Sequence, residues 1–146
     1  LDLVGFFEDE YKEQVKELEK HSIAHFYGFQ SDPRPFYIEA DCVVLPSYHE
    51  GMSNVILEAA ATGRPVITSN IPGCRESVEN GKSGLLVEVK NKEMLYDAMK
   101  EMLHCSREER EQMGQAGREK MEREFRKEVV VEKTVQSLRE DEKRDF

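Results

Sequence analysis

Cysteine is scarce in this chain and poorly placed for paired chemistry. Cys42, Cys74 and Cys105 form an odd, widely spaced set with no Cys-x-x-Cys. That leaves little for a zinc site, a redox motif or a disulfide framework, and it fits a reducing compartment. Basic charge is also short. The 21 Lys and Arg against 30 Asp and Glu give a net charge of −9, the wrong sign for a surface that must neutralise a nucleic-acid backbone. Nucleic acid is therefore not an expected partner, although local dipoles can still hold a single diphosphate. No apolar run approaches the ~18 residues of a membrane-crossing helix, and no signal peptide is recognisable. No Asp-x-Asp and no cluster of His with acidic residues suggests a metal. Internal repeats, low-complexity tracts and an obvious linker are missing too. The first residue is Leu1, not methionine, so the chain reads as a fragment or an excised domain.

What is present suits one soluble domain with its own core. The 146 residues are 38% hydrophobic and 35% charged, enough for a core without disulfide or metal staples. Short apolar runs alternate with amphipathic stretches. Leu1 to Phe6, Ala24 to Gly28, Asp41 to Leu45, Pro65 to Thr68 and Gly84 to Val89 read as strands. The run from Asp41 has no polar residue beyond its first, as expected for a strand buried on both faces. Helices are expected from Glu8 to Lys20, from Pro33 to Glu39 behind its proline, from Ser53 to Thr62 with Gly63 as the stop, and from Gly73 to Glu79. The last third is helical. Asn91 caps a helix with Met94, Leu95, Ala98, Met99, Met102 and Leu103 on one face. Ser106 and Glu109 form a capping box for the next, in which Gly114 and Gly117 allow close packing. Beyond Phe125 a charged helix with Val129, Val130, Val131, Val135 and Leu138 as anchors is expected to fray toward Asp145. Strand–helix alternation of this kind predicts an α/β fold with a parallel sheet, helices on both faces and a C-terminal helical extension. Ligands in such sheets bind at the carboxyl ends of strands.

The run from Pro46 to Ala59 holds the most informative pair, Glu50 and Glu58. Glu50 falls in the turn between a strand and a helix, and Glu58 about one turn into the helix. A helix N-terminus with free N–H groups is an anion site. Gly51 lets the backbone approach a ligand, and Ser53 or Asn54 is placed to cap the helix. Side chains lean toward the helix N-terminus, so Glu58 leans over that turn. A carboxylate there repels phosphate unless it reaches past it to a ribose diol. The arrangement suits a nucleotide-sugar, with phosphate at the helix start, sugar against the loop and ribose against the helix flank. Other readings stay open from the residues alone: a solvated glutamate, a plain Glu-Gly turn, or two carboxylates in acid–base work as in glycoside hydrolysis. Cys74 beside Arg75 reads as a small loop residue, and His49 as a ligand contact or a solvated loop histidine. His21, His25 and His104 join no constellation.

The stretch from Asp41 to Glu58 resembles the signature of retaining GT-B glycosyltransferases of group 1, glycosyltransferase family 4. The signature is a buried strand, Pro-Ser, Glu-Gly, and a second Glu after seven intervening residues. The resemblance continues through Ala59 to Thr68, then Gly73, Glu76, Gly81 and Gly84 to Val87. Upstream it takes in Leu3-Val4-Gly5 and Phe26 to Phe29. It implies a Rossmann-like half of a GT-B fold, with residues 1–146 as the nucleotide-sugar-binding domain. The acceptor domain and this domain's first strand and helix would be absent. It also implies roles. Glu50 would act at the reacting face of the sugar. The amides of Gly51, Met52 and Ser53 would meet sugar hydroxyls, and those of Asn54 and Val55 the diphosphate. Glu58 would hold the ribose, and Phe29 would lie beside the base.

The parent enzyme would transfer a hexose with retention of the anomeric configuration, with no metal or other cofactor. The expected partners are a nucleotide-sugar donor, UDP-linked, and an acceptor glycan or lipid-linked glycan reached through another domain. The expected location is cytoplasmic, or peripheral at the inner membrane of a bacterium. Two departures stand out. The family's Arg and Lys that neutralise the diphosphate lie upstream of Leu1, and Met52 and Ser53 replace the Phe or Pro common after Glu-Gly. Glu-Gly-Met-Ser-Asn-Val, followed by Ser69 to Glu76, looks more like bacterial capsule and lipid-linked oligosaccharide enzymes. The rival readings are a nucleotide-sugar 2-epimerase and a non-catalytic association domain working through the helix from Asn91 to Leu103.

Overall fold

The computed structural model describes residues 1–6 and 9–142. The chain forms two compact units, Leu1–Phe36 and Tyr37–Phe146. In the first, β1 (Asp2–Val4) pairs in parallel with β2 (His25–Gly28), with a register shift between Leu3 and Val4. Between them lie a 3-10 turn (Asp9–Tyr11) and α1 (Lys12–Lys20). The expected start of that helix at Glu8 lies outside the described residues. Glu19 ties α1 to β2 by accepting the Phe26 N–H at 2.9 Å. Val15 and Leu18 are half-buried, as their helical spacing predicts.

The division between the units falls inside the short helix α2 (Arg34–Glu39). The second unit is built on a three-stranded parallel sheet, β3 (Val43–Leu45), β4 (Val66–Ser69) and β5 (Gly84–Val87), in the order β3-β4-β5. Among the described residues the strands thus form two parallel sheets, not one continuous sheet. The central β4 is buried along its whole length. Successive strand side chains point to opposite faces, so Val66 and Ile67 enter different core clusters. Val66 joins Tyr37, Ile56, Ala59, Cys74 and Val78, under α3 (Asn54–Ala61). Ile67 joins Leu85, Val87, Ala98 and Met102, under α4 (Lys92–His104). Helices cover both faces, as expected.

β3 departs from expectation. Its residues are half-buried because in this unit it pairs only with β4. Asp41, placed in the strand by sequence, lies before it, exposed and 3.3 Å from Arg110. The stretch from Gly73 to Glu79 is a chain of turns, not a helix. Gly73 takes φ +87°, a left-handed conformation that no helix interior tolerates. Along α4, Leu95, Ala98, Met99 and Met102 face the core, a stripe at i, i+3, i+4 and i+7. Leu103 is 82% exposed and Met94 39%, because both lie one position outside that stripe.

The Asn91 side chain caps α4 by accepting the Met94 N–H at 2.9 Å. The capping box of Ser106 and Glu109 opens α5 (Arg107–Glu124). α5 packs on α3 at Gly117 and on the turn after α3 at Gly114. A Cβ on Gly114 would lie 1.9 Å from the Gly63 carbonyl oxygen. α6 (Lys127–Glu142) follows. Of its valines, Val129 is half-buried while Val130, Val131 and Val135 are exposed, as is Leu138. The fraying expected toward Asp145 lies outside the described residues. No described helix is long and apolar enough to cross a membrane.

Candidate donor-binding site

The loop after β3 and the first turn of α3 bring six of the sequence-predicted residues, Glu50 to Val55, into one continuous segment at the carboxyl end of the strand. The loop is held from two sides. Ser47 O–H donates to Glu50 Oε1 at 2.8 Å, fixing one oxygen of a half-buried carboxylate and leaving the other to point elsewhere. Beneath it, Gly73 presses against the backbone. A Cβ there would sit 1.5 Å from the Gly51 carbonyl oxygen and 2.8 Å from that of Glu50. Gly73 O accepts the Ser53 N–H at 3.3 Å. Gly73 is itself pinned, since its N–H donates to Glu76 Oε2 at 2.7 Å. Glu76's own amide and then that of Gly73 hold its carboxyl below the ordinary glutamate value. Met52 is half-exposed, and its sulfur accepts the Ser77 O–H at 3.6 Å.

These contacts correct two expectations for Ser53. It occupies the N-cap position of α3 with an extended backbone, but its hydroxyl makes no capping hydrogen bond. The residue is buried and its amide is taken by Gly73, so it neither caps the helix nor offers a free amide. Asn54 is the first helical residue and does not cap either. With no side-chain cap, the amides of the first turn keep their capacity to bind an anion, at the positive end of the helix dipole. Gly51, Met52, Asn54 and Val55 are all exposed.

Glu58 lies one turn further, on the exposed flank of α3. Its Oε2 accepts the Tyr37 O–H at 3.1 Å. Tyr37 is only 6% exposed. Its hydroxyl is pushed up to about 12, first by burial and then by the charge and hydrogen bond of Glu58. Glu58 also edges a groove of about 370 Å³ with Leu57, Arg118, Glu122, Phe125 and Arg126. Phe29 belongs to the other compact unit, where it is exposed and its ring stacks on Phe6 with centroids 5.1 Å apart.

Tyr37 and the supporting role of Gly73 escape a sequence reading. Tyr37 is 21 positions from Glu58, in a helix too short to show a period. Gly73 belongs to the resemblance, but nothing local shows that it packs under the Glu50 loop. Cys74 is fully buried. Burial pushes its thiol up, and the Glu50 and Glu76 charges add to this against a hydrogen bond with Thr68, so it is a packing residue and not a nucleophile. His49 is exposed. Among the described residues, no three His, Cys, Asp or Glu side chains are grouped to hold a metal ion.

The family described as Glycosyl transferases group 1 matches residues 1–120. The chain is 33% identical over 102 residues to the capsular polysaccharide biosynthesis glycosyltransferase CapM of Staphylococcus aureus, covering 70% of this chain and 27% of CapM. It is 31% identical over 113 residues to the lipopolysaccharide core biosynthesis glycosyltransferase LpsE of Rhizobium meliloti, covering 77% of this chain and 33% of LpsE. The chain thus spans about a third of the length of these relatives. Among solved structures, sucrose-phosphate synthase of Thermosynechococcus elongatus matches with a TM-score of 0.79 at 28% identity, over 96% of this chain and 38% of that one. HepE of Anabaena, crystallised in complex with UDP, matches with a TM-score of 0.79 at 22% identity, over 95% and 40%. That last likeness shows the fold.

Proposed function

The chain belongs to the group 1 glycosyl transferases, and we propose that it is the donor-binding domain of a retaining GT-B enzyme that takes its sugar from a nucleotide, most simply UDP. The observation that carries this reading is the uncapped first turn of α3, joined without a break to the Glu50 loop and followed one turn later by Glu58. In the proposal the amides of Asn54 and Val55 hold the diphosphate, where the helix dipole and unpaired donors favour negative charge. The amides of Gly51 and Met52, both exposed residues, meet hydroxyls of the sugar. Glu50, oriented by Ser47, faces the transferred sugar near its reacting carbon. Glu58 accepts from the ribose diol. A UDP complex of a protein with the same fold and relatives in capsule and lipopolysaccharide synthesis support a UDP-sugar donor and a surface-glycan or lipid-linked acceptor.

The domain's contribution to the reaction would be positioning the donor and stabilising the charge that develops on the departing diphosphate. The reading includes no resident metal or cofactor. It places the parent enzyme in the bacterial cytoplasm or at the inner face of the membrane, with acceptor binding carried by a second domain that these 146 residues do not contain.

Titration of the isotope-labelled chain with UDP, GDP and ADP, followed by backbone amide shifts, tests the reading. UDP is expected to shift the amides of Gly51, Met52, Asn54 and Val55 selectively, and Glu58→Ala to weaken the response. Shifts centred elsewhere, or indifference to Glu58→Ala, would overturn the site.

A further inference from the structure

Tyr37 has an unusual position for a tyrosine with no assigned role. Its ring is sealed in the core cluster of Ile56, Ala59, Val66, Cys74 and Val78, yet its hydroxyl emerges at the flank of α3 and donates to Glu58 Oε2 at 3.1 Å. A glutamate on an exposed helix flank ordinarily samples several rotamers, and holding it in one costs side-chain entropy. A donor mounted on a buried ring has no such freedom, so the bond transfers the rigidity of the core to the carboxylate. The bond engages one oxygen. Among the described residues no hydrogen bond reaches Oε1, and a carboxylate oxygen has lone pairs to spare for a hydroxyl.

From this geometry we infer that Tyr37 is a positioning residue for donor binding: it holds the Glu58 carboxylate so that its other oxygen is presented to the ribose hydroxyls of a nucleotide. The inference rests on the reading of Glu58 given above. It goes further by assigning the work to a residue outside the Glu-x7-Glu signature. Orientation by an outer partner is the general way in which a binding group is kept in productive geometry. The bland alternative is that the tyrosine uses Glu58 only to satisfy a hydroxyl that burial would otherwise leave unpaired. The two differ in what happens to a ligand that lacks the ribose hydroxyls.

The test is a cycle of Tyr37→Phe and Glu58→Gln against UDP and 2′,3′-dideoxy-UDP, read as Kd by calorimetry on the 146-residue chain. Tyr37→Phe is expected to weaken UDP roughly three- to tenfold, the loss of one hydrogen-bonded arrangement, and to leave the dideoxy nucleotide unchanged. Equal weakening of both nucleotides, or of neither, would overturn the positioning role. Glu58→Gln separates this failure from failure of the underlying reading. If wild type binds UDP no better than the dideoxy form, or if Glu58→Gln leaves the preference intact, Glu58 does not hold ribose and the inference falls with it.

A ligand-free measurement guards against a misfolded Tyr37→Phe. Alkaline titration of Tyr37 in the Glu58→Gln variant, altered only at the exposed partner, is expected to lie below that of wild type measured alongside, because the charge of Glu58 helps to raise it. An unchanged titration would show that the contact is not made in solution.

Discussion

Tyr37 links core stability to the site. Its raised value means that the fold prefers the neutral hydroxyl. The stability it contributes is fully present below its ordinary value near 10 and is lost as pH rises toward about 12. A shift of that size corresponds to at most ~3 kcal/mol. Urea unfolding between pH 9 and pH 12 is therefore expected to show wild type losing stability faster than Tyr37→Phe, which has no phenol to ionise. Parallel curves would mean that the hydroxyl ionises without cost to the fold. Gly73 is the other residue on which the site leans. A Cβ added there would collide with the Gly51 carbonyl, and the positive φ of Gly73 is one that L side chains rarely adopt. Gly73→Ala is thus expected to shift the amides of Glu50 to Ser53 in a ligand-free spectrum while leaving those of α4 in place.

Among the elements, α5 packs closely on α3 and the turn that follows it, and the two glycines of α5 contribute unequally. At Gly114 an added methyl would meet the Gly63 carbonyl at 1.9 Å, too close for anything but backbone movement. At Gly117 the nearest atom to such a methyl would be the Ala60 Cβ at 3.5 Å, an ordinary van der Waals contact. Gly114→Ala is expected to cost about 3 kcal/mol through overpacking. Gly117→Ala is expected to be neutral or stabilising by up to ~1 kcal/mol, because alanine is the better helix former. Chemical denaturation of both variants measures this. The reverse ranking would contradict the packing of α5 on α3. The consequence reaches the site, because α3 carries Glu58 on its exposed flank and the uncapped first turn at its start.

At the scale of the whole chain, the proposed function assigns these residues the donor side of a transfer. The chain spans about a third of the relatives it matches, and in the proposed function the acceptor arrives from a second domain. The 146 residues are accordingly expected to form no glycoside product when incubated with a UDP-sugar and candidate acceptors, as read by a radiolabel transfer assay. Product formation would mean that these residues hold acceptor and donor together. The net charge of −9 does not forbid a diphosphate ligand, because the proposed attraction is local, from first-turn amides at the end of a helix.

The sequence alone determined the periodic features. Alternation of apolar runs with amphipathic segments set the α/β class, the parallel strands and the order of helices, because period and propensity are local properties of the chain. Asn91 and the pair Ser106 and Glu109 were legible as caps because capping acts across three residues. The Glu50–Glu58 spacing marked the segment for the same reason. Only tertiary structure decided the rest. Whether β3 is buried on both faces depends on how many strands flank it. The turns after Ile71 replace an expected helix because Gly73 must pass under the Glu50 loop. Ser53 is sealed in and bonded to Gly73, which no local rule anticipates. The hydroxyl of Tyr37 meets Glu58 across 21 positions, a contact beside one core cluster that no local pattern marks. Contacts between segments distant in sequence have no period, and folding alone brings such residues together.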